Sequence, residues 1–273
     1  MKSWAIFRHS LRQVFRNLGG ALRVSGVLYL VQISLTLAIF GPIVLTKGVS
    51  AAQPVSGAQS GALIAAVIIT VLTGLWIAVG WHRYVLLIEE PALVPKLHLD
   101  RVLGYFGKGI LIGLVMVIPA IVAGFLMALV LAAIVSAALK GQVISLETVI
   151  PLALQIELSL AALIIAVPVL AIGLRLSSIL PGVALKAGQP LFEGWAATAH
   201  EMGAFLMLAV LCVTGIFLLG LPEMLWPSPD HSLTLSAAPI LIYQVASQWV
   251  QTMIGVSILT TLYGHYIEKR PLV

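Results

Sequence analysis

GILIGLVMVIPAIVAGFLMALVLAAIVSAAL, residues 109–139, runs through 31 positions without a charged side chain. About 20 apolar residues in helical form cross a hydrocarbon layer ~30 Å thick. This stretch therefore reads as a transmembrane helix with length to spare, one that must tilt or protrude. Five more stretches of the same kind lie at 24–46, 61–81, 150–174, 203–222 and 236–263. The expected fold is all-α: a polytopic membrane protein of six spans, forming one membrane domain over 1–273.

Composition agrees. Only 9% of the 273 residues are charged and 60% are hydrophobic, whereas about 25% of a soluble domain is charged. The mean hydropathy is +1.10. The net charge of +5 raises the question of nucleic acid, and the placement of the cations answers it. With the N-terminus in the cytoplasm, thirteen of the fifteen Lys and Arg fall in the inner segments 1–23, 82–108, 175–202 and 264–273. Lys47 and Lys140 alone fall outside. This is the positive-inside distribution of short membrane loops, so the basicity is expected to orient the chain in its membrane with both termini cytoplasmic. No nucleic-acid partner is expected. Val49-Ser50-Ala51 resembles a leader cleavage site, but the apolar run before it exceeds the roughly 7–15 residues of a signal peptide, so no cleavage is expected. The single cysteine, Cys212, excludes an intramolecular disulfide or a CxxC site.

The first 23 residues form an amphipathic segment. Trp4, Phe7, Leu11, Val14, Phe15, Leu18 and Leu22 recur at helical spacing, and Arg8, Arg12 and Arg16 flank them. An aromatic face beside an arginine row suits the membrane interface, so membrane lipids are the expected partner. Gly19-Gly20 is expected to break this helix before the first span.

The chain also divides into three similar units, about 1–96, 97–189 and 190–273. Each reads as an amphipathic cytoplasmic segment, two spans and an arm closing on a proline. The arms are GWHRYVLLIEEP (80–91), GLRLSSILP (173–181) and LYGHYIEKRP (262–271). Two spans per unit keep the copies parallel, related by an axis along the membrane normal.

Few residues could carry chemistry. Glu157 is a carboxylate within the fourth span, a costly placement that marks a bundle interior or a watery cavity, unless, about two turns from the outer end of the span, it pairs structurally or reaches the outer interface. Gln244, Gln248 and Gln251 share one face of the sixth span, with Gly255 continuing the line. Gln32 and Gln155 could join them, as interhelical hydrogen-bonding groups or as a polar pathway. Arg83, Arg175 and Arg23 stand at inner span ends, where they and Arg8, Arg12 and Arg16 can meet lipid headgroups. Gly109-xxx-Gly113 favours close helix contact, and Pro119 and Pro168 are expected to kink their spans. His82, His98, His200 and His265 show no ligand spacing, so no metal site is expected. No nucleophile elbow, P-loop, HExxH or dinucleotide fingerprint is present. No catalytic residue and no cofactor are expected.

RLSSILPGVALKAGQPLFEGWAATAHEMGAFLML, residues 175–208, runs from an arginine through Leu-Pro and a spacer to an amphipathic helix and a span. It resembles the six-span membrane domain attached to some glycerophosphodiester phosphodiesterases, and the related stand-alone inner-membrane proteins. The likeness implies three hairpins with cytoplasmic interface helices. It implies no activity, since these residues include no phosphodiesterase barrel, and His200 and Glu201 replace the small or basic residues usual in such motifs. The function expected is non-enzymatic: a lipid-associated scaffold, or an accessory subunit beside other membrane-protein subunits. The alternatives are a small transporter or channel built on Glu157 and the glutamines, and a lipid-handling membrane protein.

Overall fold

In a computed structural model the described residues are 2–47, 57–138, 152–186, 188–225 and 238–272, and they form helices joined by turns, with no strand among them. The order is α1 (Lys2–Phe15), α2 (Leu18–Lys47), α3 (Gly57–Leu87), α4 (Leu99–Ala138), α5 (Leu152–Ser177), α6 (Leu180–Ala184), α7 (Glu193–Ala197), α8 (Met202–Leu225) and α9 (Ala238–Leu262), closing on a π-helical turn, Tyr263–Ile267. Among the described residues, five helical stretches have the length and composition to cross a membrane: Leu18–Ile39, Ser60–Leu87, Leu99–Ala133, Ile156–Ala184 and Met202–Leu225. The helix expected as the sixth span, α9, has the length, but its three glutamines keep its hydropathy below that of the other five.

The long helix α4 carries the 109–139 stretch and begins ten residues earlier, at Leu99. Its 40 residues make a rod of about 60 Å, twice a hydrocarbon layer, so it must project beyond one. Both α4 and α5 run on through Pro119 and Pro168.

Helices α2 with α3, and α4 with α5, pack as close pairs. The third pair is built differently: α8 packs chiefly on α5, and α9 chiefly on α1 and α3. The tightest packing lies at the end of the bundle that carries α1, α6, α7 and the π turn. One cluster joins Ile6, Ala171, Phe205, Leu208 and Leu262, and a second joins Val79, Val102, Leu176 and Ile179. A third sets Trp81 against Val14, Val24 and Met253.

The opening helix departs from expectation in two ways. Its buried face is Ser3, Ile6, Ser10 and Val14, while Trp4 and Phe15 each stay 51% exposed. The two serines explain this: small side chains let α1 lie close to α9, and Ser10 Oγ bonds both the Ile6 carbonyl (2.9 Å) and Thr261 Oγ1 (2.9 Å). The break also comes earlier than Gly19-Gly20. The helix stops at Phe15 and restarts at Leu18, with Asn17 Nδ2 donating to the Gln13 carbonyl (3.1 Å). Gly20 serves packing instead, since a Cβ there would overlap the Tyr84 ring. No neighbour lies within 4 Å of a Cβ placed on Gly109 or Gly113, so that pair makes no close helix contact among the described residues.

Candidate functional site

The polar groups fall into two regions: the packed end of the bundle and the N-terminal half of α9. At the packed end, α1 presents three faces. One is buried in the bundle, the next carries Trp4 and Phe15, and the third carries Arg8 and Arg16, both exposed, and the half-buried Arg12. Like charges at four-residue spacing repel. Arg12 is held below the ordinary guanidinium value, by Arg8 first, then by desolvation, then by Arg16. An anionic surface relieves that repulsion. Lys2 pairs with Glu201, the residue just before α8, and lies over the Tyr266 ring, 5.5 Å from its centroid. Burial, and secondarily the Glu201 carboxylate, push the Tyr266 hydroxyl well above its usual range, so it stays protonated.

The six candidate arginines divide by environment. Arg23 is exposed on α2. Arg83, at the end of α3, forks onto the Glu89 carboxylate (Nε to Oε2, 3.1 Å, with a second contact to Oε1) and donates to the Ala184 carbonyl (3.0 Å). Arg175 is only 4% exposed. Its Nε donates to Thr198 Oγ1 (2.9 Å), one terminal nitrogen to the Trp195 carbonyl (3.1 Å), and its guanidinium carbon sits 3.7 Å from the Trp195 ring centroid. The structure therefore places Arg175 as a clamp between α5 and α7, bonded to protein rather than turned outward. Arg83 and Arg175 do not converge on one pocket.

Beside Arg83, residue His82 is fully buried, with Nδ1 at 2.8 Å from Thr260 Oγ1 and Nε2 at 3.1 Å from Tyr105 hydroxyl. Both ring nitrogens are used, so the histidine ties α3, α4 and α9 together. Spacing along the chain could not reveal this group, because its members lie 23 and 178 residues apart. Among the described residues no group of His, Cys, Asp and Glu is arranged to hold a metal ion.

Toward the N-terminal half of α9, Gln244 and Gln248 are exposed and Gln251 is half-buried. Gly255, next on that line, is open too. None of the three side-chain amides makes a hydrogen bond to another described residue. The helix is fastened by other groups: Tyr29 hydroxyl to the Val245 carbonyl (2.9 Å), Trp249 Nε1 to Ser25 Oγ (2.9 Å) and Tyr243 hydroxyl to the Leu219 carbonyl (2.7 Å). Gln32 does not join the line. Its amide donates to Thr73 Oγ1 (2.7 Å) and the Thr70 carbonyl (3.1 Å), binding α2 to α3. Glu157 is exposed near the N-terminal end of α5, with no ion pair among the described residues. The side chain of Gln155 and the segment 226–237, with His231 in it, lie outside the described residues.

No family model, curated protein or solved structure matches the chain.

Proposed function

We propose that the chain is a six-span bacterial inner-membrane protein with both termini in the cytoplasm, acting without catalysis as a lipid-associated accessory subunit of a larger membrane complex. The observation that carries this reading is the unpaired glutamine line on α9. A polar group without a partner in hydrocarbon costs free energy, and α9 carries two exposed amides and a half-buried third with none among the described residues. A second polar helix laid along Gln244, Gln248 and Gln251 would satisfy them, at about 0.6–2 kcal/mol per interhelical bond. Three further features support the membrane role. Thirteen of the fifteen cations lie toward one end of the bundle, the arginine row of α1 faces outward there, and the long helices expose broad apolar surfaces. In this arrangement α9 supplies the sixth span, covered by its partner.

A water-lined pathway is the second reading, because water would satisfy the same amides and would suit the exposed Glu157. One experiment separates the two. With Cys212 changed to serine, Gln248→Cys labelled in native membranes with the membrane-permeant photo-cross-linker benzophenone maleimide is expected to give one discrete cross-linked band of higher mass on irradiation, and the unlabelled cysteine to resist a membrane-impermeant maleimide from either side. Rapid labelling without a cross-link would replace the subunit reading with the pathway. The double substitution Gln244→Leu/Gln248→Leu is expected to weaken the association by roughly tenfold or more, read as loss of the co-purifying chain.

A further inference from the structure

A cavity of about 470 Å³ opens between the 88–98 connection and the α2–α3 pair. We propose that it binds the headgroup of a zwitterionic aminophospholipid of the phosphoethanolamine class. The connection is a built structure. After α3 ends, Ile88 takes a φ of 57°, a left-handed conformation that a β-branched residue adopts only when its surroundings hold it there. That turn aims Glu89 back onto Arg83. Seven residues on, the Pro95 carbonyl accepts from Trp76 Nε1 (3.1 Å). The Pro95 ring sits against Gly80, where an added Cβ would come within 3.1 Å of it. The loop is thus fastened at both ends, with the cavity between the fastenings.

The charges within it select the ligand. Arg83 and Glu89 neutralise each other. What remains on the wall is one ammonium, Lys96, one carboxylate, Glu90, the Tyr84 hydroxyl and the His98 imidazole. None of these four side chains bonds another described residue. A site for a simple anion would leave positive charge in excess, and a site for a simple cation negative charge. Here one of each is left, the complement of a phosphate and a primary ammonium a few bonds apart. Lys96 and the Tyr84 hydroxyl donate to phosphate oxygens, and Glu90 accepts from the ammonium. A quaternary choline head has no N–H to give Glu90.

The rim shows why the headgroup belongs to a lipid. Ile88 is 87% exposed and Leu93 67%, and Leu87, Val94 and Leu97 beside them are exposed as well. Aliphatic side chains flanking a charged cavity at a bundle end suit acyl chains that leave the headgroup and enter the bilayer. This inference rests on the membrane reading above and not on the partner helix, so it is tested on the purified chain alone.

The full chain in nanodiscs of equimolar dioleoyl phosphatidylethanolamine, phosphatidylcholine and phosphatidylglycerol is released into a native mass spectrometer. Phosphatidylethanolamine is expected to be retained over each of the others by roughly tenfold. Glu90→Gln should abolish the preference over phosphatidylcholine, and Lys96→Ala should abolish the selective retention of phosphatidylethanolamine, while Glu223→Gln, exposed at the far end of α8, leaves the profile unchanged. Both wall residues are exposed, so the variants should fold, and the profile of the unsubstituted chain is decisive by itself. Equal retention of the three lipids, or a preference for phosphatidylglycerol, would overturn the zwitterion assignment. Soluble glycerophosphoethanolamine competing as well as the lipid at equal concentration would overturn the lipid.

Discussion

Trp81→Ala is expected to lower the stability of the folded chain by about 3 kcal/mol, the lower end of the range for deleting a buried aromatic. The lower end applies because lipid is as apolar as the core, so the penalty comes from lost packing rather than from transfer out of water. Trp81 is fully buried in the cluster that holds Val14 of α1, Ala21 and Val24 of α2 and Met253 of α9. Its ring lies 5.4 Å from that of Tyr84. The cavity left by alanine opens where α1 meets α2, so cleavage of α1 by added protease should accelerate along with the fall in Tm. Trp81→Phe gives the opposite sign. The indole N–H is buried and has no partner among the described residues, and phenylalanine removes that donor while keeping most of the volume. Its Tm should match or exceed that of the parent. A Trp81→Phe chain as damaged as Trp81→Ala would show that the indole nitrogen has a partner, and that the packing account is wrong.

Arg175→Ala should cost about 2–4 kcal/mol, from two hydrogen bonds made by a charged group and a stacked ring, less the desolvation that the lost charge no longer incurs. The consequence is local. Helix α7 has only five residues and cannot hold itself together. It stays on α5 through the Arg175 contacts and through Gly194, where a Cβ would lie 2.7 Å from the Arg175 carbonyl oxygen. Exchange of the 193–198 amides should therefore rise far more than exchange in α8. Arg175→Met separates charge from volume. If it restores the parent Tm, the guanidinium contributes no net stability; the bonded geometry leads us to expect that it does not. Arg175→Lys should also fail, because an ammonium cannot both stack on Trp195 and reach the two oxygens.

How much of this was legible before folding depends on the range of each interaction. The long apolar runs and the one-sided cations are local or additive properties, so helices of membrane-crossing length could be read off directly. The run at 236–263 shows the limit of that reading. Three glutamines bring its hydropathy below that of the other five, and whether it crosses depends on what covers Gln244 and Gln248. The amphipathic N-terminal segment could also be read, but not its orientation. The apolar positions offered two overlapping faces, and the choice fell to two serines that fit against Thr261, some 250 residues away.

The sequence alone determined the material: helices, their approximate number, and the side of the bundle on which charge collects. Solvent and chain connectivity act on every residue separately, so those features follow from composition and spacing. Tertiary structure alone decided which polar groups are consumed and which are left over. Arg83 and Arg175 look alike along the chain, yet one closes on Glu89 and the other on Trp195. Gln32 is used by α3, while the glutamines of α9 find no partner among the described residues. Hydrogen bonds are short and directional, so a residue's partners are fixed only when distant segments arrive within about 3 Å, and the groups left unpaired are what a lipid or a second chain can recognise.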